Sequence, residues 1–196
     1  MNRRKPRIAV IGRGNVGNSL RQGIDKAGYE IRMTGKDPER VHEVAAWGDA
    51  VILAVPYGAV DDVLHCMGNA ADGKVLIDVT NPLTPNFELA LGFTTSAAEE
   101  LQKRAPSTKV VKAFNTVFAQ HMVNAHVKDT ALTLFVAGDD QDAKDHVLRL
   151  GRDIGFDPVD AGPLRNARWL EALGYLNIQL GYLLGMGTEI GFKLIH

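Results

Sequence analysis

A glycine-rich turn near the N-terminus has the clearest chemical potential in this chain. It fits the pattern G-x-G-x-x-G and consists of Gly12, Arg13, Gly14, Asn15, Val16 and Gly17. In such a turn Gly12 permits the sharp bend, Gly14 lets the backbone approach a pyrophosphate, and Gly17 allows close helix–strand packing. An apolar strand predicted over residues 7–11 and a helix predicted over residues 16–27 flank it, as a dinucleotide site requires. The pattern therefore predicts a nucleotide-binding turn with the pyrophosphate at a helix N-terminus, and an ordinary glycine-rich turn is the alternative.

The end of the second predicted strand distinguishes NAD from NADP. An NAD site usually has Asp or Glu there, about 20 residues further on, to bind the ribose 2′-hydroxyl. This chain instead has Thr34, Gly35 and Lys36, followed by Arg40. They offer a hydroxyl, a backbone N–H and cations to a 2′-phosphate, which Arg13 could also reach. With Asp37 assigned to a helix N-cap, we expect NADP(H) as the cofactor, and a solvated, charged helix start is the alternative.

Residues that follow the later strands are candidates for the nicotinamide end of the site. They are Val55, Pro56, Asn81, Asn115 and Thr116. In an open α/β sheet the ligand lies outside the carboxyl ends of the strands, so we expect these residues to line the same crevice. Pro56, Asn81, Asn115 and Thr116 are the candidates for positioning the ring, although turn chemistry also explains Asn81 and Thr116. No residue is identified as a certain catalytic acid or base.

Predicted strands alternate with predicted helices along most of the chain. This order is typical of an α/β fold with a doubly wound, mostly parallel sheet of the Rossmann type. We assign residues 1–162 to an NADP-binding Rossmann-type domain and residues 163–196 to a C-terminal helical segment. The helix predicted over residues 166–184 is too apolar to stand alone in water, so we expect it to pack on the sheet domain or on a homodimer partner. Residues 80–95 form the longest irregular stretch, which is often a functional loop.

Composition and charge argue against several classes of protein. The net charge of -1 gives no bulk attraction to nucleic acid or to an anionic membrane. No apolar run approaches the roughly 20 residues of a membrane span, and we expect a cytoplasmic protein. With Cys66 as the one cysteine, the chain can form neither an internal disulfide nor a cysteine-based zinc site. No metal is expected at the histidines, of which only His121 is kept as a site-adjacent candidate; residues 3–5 and His196 are interpreted as solvated termini.

Beyond the glycine turn, several longer motifs occur along the chain. They are D-V-T-N-P at 78–82, V-V-K-A-F-N-T at 110–116, A-G-D-D at 137–140, D-A-G-P-L at 160–164, Arg168, and G-M-G at 185–187. Together they resemble the family of NADP oxidoreductases that use coenzyme F420, a deazaflavin, over nearly the whole chain. The NADPH-binding domains of six-transmembrane metalloreductases are similar too. The resemblance implies hydride transfer between nicotinamide C4 and deazaflavin C5. It also places Lys36 and Arg40 near the 2′-phosphate, and the four ring-positioning candidates near the stacked rings.

The chain departs from the family pattern around the second cofactor. Deazaflavin-dependent members commonly show A-L-H-T where this chain has A-F-N-T at 113–116. They also tend to show S-R-x-x-E-S-L-T where this chain has A-R-W-L-E-A-L-G at 167–174. The histidine and the two hydroxyls that the resemblance places near the second cofactor are thus replaced by Asn115, Ala172 and Gly174. The resemblance therefore implies an intact NADP half and an altered acceptor half.

The expected function is that of an NADP(H)-dependent oxidoreductase with a small-molecule redox acceptor. The hydride would pass between NADP(H) and F420 or a flavin-like partner. Such a step depends on positioning two rings and excluding water more than on an acid or a base. Two alternatives stay open: an NADPH-dependent reductase of free flavin or a ferric chelate, and a non-catalytic NADP(H)-binding sensor.

Overall fold

A seven-stranded sheet forms the centre of the protein in the computed structural model, which describes residues 4–195. The strands are β1 (Ile8–Ile11), β2 (Ile31–Thr34), β3 (Ala50–Leu53), β4 (Val75–Asp78), β5 (Lys109–Lys112), β6 (His126–Val127), β7 (Thr130–Ala131), β8 (Thr133–Gly138) and β9 (Asp157–Asp160). The sheet order is β2-β1-β3-β4-β5-β8-β9, and β6 and β7 pair separately as a short hairpin. The expectations for Arg3 and His196 lie outside the described residues.

The helices cover both faces of this sheet. They are α1 (Asn15–Lys26), α2 (Pro38–Trp47), α3 (Val60–Met67), α4 (Ala97–Arg104), α5 (Gln141–Ile154) and α6 (Ala167–Ile178), and a π-helical turn, Gln179–Leu183, continues α6. The N-cap predicted at Asp37 is present, since its carboxylate accepts a hydrogen bond from a first-turn N–H of α2. The Ser96 hydroxyl and the Asp140 carboxylate cap α4 and α5 in the same way. These caps satisfy N–H groups that a helix start would otherwise leave unpaired.

The strand pairing confirms a doubly wound, mostly parallel sheet. Neighbouring strands from β2 to β5 are parallel, β8 runs antiparallel to β5, and β9 is parallel to β8. Because β1 lies between β2 and β3, the chain changes direction across the sheet at this point. The crevice above the carboxyl ends of β1 and β3 is therefore the place where such a fold binds its ligand.

Apolar side chains cover both faces of the central strands. Alternate residues of β1 and β3 belong to two separate core clusters, with Val10 and Ile52 in one and Ala9 and Val51 in the other. Helices α1 and α5 contribute to the first cluster, and α2, α3 and α4 to the second. Burial on both faces explains why these strands are continuous apolar runs in the sequence.

The C-terminal helix α6 is buried along one side and exposes apolar residues on the other. Its residues Ala167, Leu170, Glu171 and Gly174 are buried. Large apolar side chains nevertheless remain exposed along the segment: Trp169, Leu176, Tyr182, Leu183, Leu184 and Met186. Residues 185–195 then return to the sheet, where the N–H of Thr133 in β8 donates to the carbonyl of Phe192. Among residues 4–195, no helix is long and apolar enough to cross a membrane.

Candidate dinucleotide site

The glycine turn joins β1 to α1, and its three glycines have different reasons to lack a side chain. Gly12 has φ +123°, and a Cβ there would lie 2.0 Å from the carbonyl oxygen of Ala54. A Cβ on Gly17 would lie 2.1 Å from the carbonyl oxygen of Gly12. Gly14 differs, because a Cβ built on it meets no protein atom within 4 Å. The protein itself therefore explains Gly12 and Gly17, whereas Gly14 leaves open space above the turn.

That open space lies at the N-terminus of α1. Gly14 is the N-cap residue, so no side chain caps the helix, and its first turn contains no acidic residue. Arg13, Gly14 and Asn15 are exposed, while Val16 packs against the core. Unpaired N–H groups and the positive end of the helix dipole favour an anion at this position. The turn thus has the shape and the donors to hold a pyrophosphate.

Cationic side chains surround the neighbouring end of β2. The Arg13 side chain lies against Gly35, whose Cβ would be 3.7 Å from Arg13 Cδ. Lys36 and Arg40 are exposed on the turn and the first turn of α2. Asp37 is occupied as the N-cap, since its carboxylate accepts from the Arg40 N–H at 3.3 Å. The strand end therefore presents positive charge, as a 2′-phosphate would require.

Thr34 has a different position from the exposed residues that follow it. It is only 1% exposed, and its carbonyl accepts from the Gly12 N–H at 2.9 Å. It thus holds the glycine turn against β2, and its side chain is not presented at the surface with Lys36 and Arg40.

A cavity of about 380 Å³ adjoins the cationic strand end. It is lined by Lys36, Pro38, Val41, Val55, Ala59, Asp62, Val63, His65 and Cys66. Sequence reasoning identified Lys36 and Val55 but not the residues of α2 and α3, because the two helices are brought together only by packing. Pro56, which follows Val55, is exposed at the rim of the β3 end.

Two asparagine side chains form a pair where β4 and β5 end. Asn81 Nδ2 donates to the carbonyl of Asn115 at 3.0 Å, and Asn115 Nδ2 donates to Asn81 Oδ1 at 3.2 Å. Asn115 Nδ2 also donates to the carbonyl of Leu170 in α6 at 2.8 Å. A Cβ on Gly174 would come within 2.6 Å of Asn81 Oδ1 and 2.8 Å of Asn115 Nδ2. The amide pair and the glycine therefore belong to one packing arrangement, which explains the absence of a side chain at position 174.

Thr116 and His121 are more buried than Asn81. Thr116 is 3% exposed, and its carbonyl accepts from Asn177 Nδ2 at 3.1 Å. His121 is buried, and its Nε2 lies 2.8 Å from the Thr188 carbonyl of the C-terminal segment. This contact links His121 to the returning chain. No group of three or more residues that could hold a metal ion occurs among the described part of the chain.

A buried ionic cluster lies beneath the asparagine pair. Lys112 Nζ is 2.9 Å from Asp78 Oδ2 and 3.0 Å from Glu171 Oε1, and all three side chains are at most 2% exposed. Burial alone would lower the pKa of Lys112, but the two carboxylates outweigh it and raise that pKa above its usual value. Glu171 also accepts hydrogen bonds from the N–H groups of Ala97 and Ala98 at the start of α4. Sequence reasoning identified none of these three as functional, although each lies within a motif of the resemblance.

One buried hydroxyl near the pair has no partner. Thr80 Oγ1 is the only buried side-chain N or O atom without a hydrogen bond among the residues that the structure describes. Thr80 is 5% exposed and directly precedes Asn81 at the carboxyl end of β4. An unpaired buried hydroxyl costs free energy that a bound group could recover by supplying a partner.

Comparison with known proteins agrees with this geometry. The family model described as NADP oxidoreductase coenzyme F420-dependent matches residues 7–47, which include the glycine turn and the β2 end. Metalloreductase STEAP3 of Rattus norvegicus is 28% identical over 180 residues, covering 86% of this chain but only 36% of the metalloreductase. The F420-dependent NADP reductase of Methanothermobacter marburgensis is 28% identical over 210 residues, covering 89% of this chain and 92% of that reductase.

Solved structures give the same result for the fold. A candidate F420-dependent NADP reductase from Arthrobacter sp. FB24 has a TM-score of 0.89 at 27% identity, and covers 97% of this chain and 100% of that one. An imine reductase from Myxococcus stipitatus in complex with NADP+ has a TM-score of 0.69 at 18% identity, covering 92% of this chain and 63% of that one, and supports the fold alone. The Rossmann-type fold and the resemblance predicted from the residues are confirmed: the chain is similar to the F420-dependent NADP oxidoreductases and, over about a third of their length, to metalloreductases.

Proposed function

We propose that this chain is an NADP(H)-dependent oxidoreductase that exchanges a hydride with F420 or a flavin-like acceptor. The observation that carries the proposal is the open space over Gly14, at an uncapped helix N-terminus beside an exposed cationic strand end. The names of the similar proteins, NADP reductases and metalloreductases, support an oxidoreductase of the NADP-dependent type.

Each part of the dinucleotide has a matching surface in this arrangement. The first N–H groups of α1 would hold the pyrophosphate, with Gly14 as the point of closest approach. Arg13, Lys36 and Arg40 would bind the 2′-phosphate, because cations form charge-assisted hydrogen bonds with phosphate oxygens. The adjoining cavity has apolar walls from Val55 and its neighbours, which suit an adenine ring.

The nicotinamide end of the crevice would lie over the carboxyl ends of β3 and β4. When bound, the reduced nicotinamide supplies the hydride that the acceptor takes up. The role of the protein is to hold the ring in register, and we assign it to Pro56, to the Asn81–Asn115 pair and to Thr116. The unpaired hydroxyl of Thr80 is a further candidate for a polar contact there. Positioning of this kind can supply a large part of the rate without a proton donor.

A reductase of a metal chelate is the second candidate. It is favoured by the similarity to metalloreductases, which extends over 86% of this chain. A protein that binds NADP(H) as a sensor would have the same cofactor site and no turnover. Location in the cytoplasm and a homodimer through the C-terminal helix stay predictions.

The test combines binding with turnover. Calorimetry should give tighter binding of NADPH than of NADH, and oxidation of NADPH should then be followed with F420, FMN and ferric citrate offered separately. Turnover with F420 or FMN supports the proposal, whereas turnover with ferric citrate alone supports the second candidate. Tight NADPH binding without any turnover contradicts hydride transfer to F420 or a flavin, and leaves the sensor or an acceptor other than these three. Equal affinity for NADH and NADPH contradicts the NADP assignment.

A further inference from the structure

We propose that the buried cluster of Asp78, Lys112 and Glu171 positions the Asn81–Asn115 pair for hydride transfer. These are positioning residues, because they act through the asparagine pair and not by touching the cofactor. The proposal rests on the proposed function, since it concerns the nicotinamide end of the same site.

The cluster holds the backbone directly before Asn81. Lys112 Nζ donates to the carbonyl of Thr80 at 2.7 Å. The N–H of Thr80 donates to Asp78 Oδ1 at 2.9 Å. The backbone N–H and the backbone carbonyl of Thr80 are therefore both bonded to members of the cluster, and the position of Asn81 depends on them.

The same cluster also holds α6, the helix that contacts the asparagine pair through the carbonyl of Leu170. Glu171 contacts Lys112 and accepts from the N–H groups of Ala97 and Ala98, at 2.9 Å and 3.2 Å. The preceding residue, Leu170, offers the carbonyl that accepts from Asn115 Nδ2. Glu171 thus fixes α6 at the point where the helix meets the asparagine pair.

Stability alone is a weak explanation for three buried charges. Apolar side chains of similar volume commonly stabilise an interior as well as a buried ion pair does, or better. The cluster also contains two carboxylates for one ammonium, and the start of α4 supplies the N–H groups and positive dipole that balance the second carboxylate. An ionic cluster differs from an apolar core because its hydrogen bonds are directional. Each bond fixes the position of a particular atom at the end of β4, in α4 or in α6.

The test is Glu171→Gln in the full chain, which keeps the shape of the side chain and removes its charge. The three readouts are NADPH affinity, the fluorescence lifetime of bound NADPH as a report on ring order, and the single-turnover rate of NADPH oxidation with F420 or FMN. We expect affinity within about threefold of wild type, because the glycine turn and the β2 end are untouched. We expect the lifetime to shift toward that of free NADPH and the rate to fall at least tenfold.

Glu99→Gln is the matched control. Glu99 also joins α4 to α6, because Arg168 Nε and Nη2 donate to its carboxylate at 2.8 Å and 2.6 Å. Within residues 4–195, no hydrogen bond or ion pair connects Glu99 to Asp78, Lys112 or Glu171. This variant should lose stability without a change in lifetime or rate. Equal effects of Glu99→Gln and Glu171→Gln would show that the cluster has only a structural role and would overturn the proposal.

A double variant separates positioning from other effects. If Glu171 acts through the pair, then Glu171→Gln should add no further loss of rate in an Asn81→Ala background. Multiplied losses would refute the proposal, as would a wild-type lifetime and rate in Glu171→Gln. If that variant does not fold, Asp78→Asn should give the same pattern and is judged by the same outcomes. Failure of the wild-type chain to bind NADPH would instead refute the proposed function, and the positioning role with it.

Discussion

Removing the cations at the β2 end should separate NADPH from NADH. The perturbation is the double variant Lys36→Ala/Arg40→Ala, which leaves the glycine turn intact. A charge-assisted hydrogen bond contributes about 1.5–3 kcal/mol. Because both side chains are exposed and Arg13 remains, we take the lower end for each. The expected loss for NADPH is then about 3 kcal/mol, or about 100-fold in the dissociation constant. NADH, which has no 2′-phosphate, should change by less than twofold.

The assay is calorimetric titration of both nucleotides at two ionic strengths. Salt screens exposed charges, so the preference for NADPH should shrink as ionic strength rises, and shrink less in the double variant. Lys26→Ala is the control, since Lys26 lies at the far end of the 12-residue helix α1, about 18 Å from the glycine turn at 1.5 Å per residue. Equal losses for NADPH and NADH in the double variant would show that the 2′-phosphate site is misplaced.

Three further predictions concern the turn, the pH dependence and the assembly. Gly14→Val should abolish NADPH binding with little change in melting temperature, because its side chain would fill the open space above the turn. Gly17→Ala should instead lower the free energy of unfolding by about 1–3 kcal/mol through overpacking. Unchanged NADPH affinity in a folded Gly14→Val variant would refute the assignment of the turn. The Arg7 side chain hydrogen-bonds Asp49 and lowers the pKa of that carboxyl to about 2, so this pair stabilises the fold above pH 4 and the contribution is lost as pH falls toward 2. Arg7→Met should therefore lose less stability than wild type between pH 5 and pH 2.5 in urea unfolding, and equal losses would contradict this role. Light scattering should give twice the chain mass, with Tyr182→Asp at the exposed apolar surface shifting the protein to a monomer; a monomeric wild type would remove the dimer prediction.

The strands, the helices and the candidate cofactor residues could be proposed from the sequence because their determinants are local. Strand β1, the glycine turn and α1 follow one another within residues 8–26. Lys36 and Arg40, the cations that follow β2, lie within the next 14 residues of the chain. Helix α2 begins at Pro38, and α5 begins directly after its N-cap residue Asp140. The preference of proline for the first helical position and of aspartate for the N-cap arises within a single turn of helix. The β6–β7 hairpin was not predicted, since strands of two residues have no periodicity.

The polar groups at the ends of β4 and β5 depend instead on contacts between residues far apart in the chain. Asn81 meets Asn115 across 34 positions, and Glu171 meets Ala97 across 74. No local pattern indicates that Gly174 must lack a Cβ to admit the asparagine pair, or that α2 and α3 enclose a cavity beside Lys36.

The sequence by itself determined the alternation of strands and helices, the glycine turn and the positive charge at the end of β2. The tertiary structure alone decided which polar groups meet at the ends of β4 and β5, which carboxylates pair with Lys112, and which side of α6 remains exposed. The physical reason is that helix periodicity and capping arise from neighbours within a few residues. The geometry of a buried ionic cluster arises instead from the packing of α4 and α6 against the sheet, where each charge must find its partner away from water.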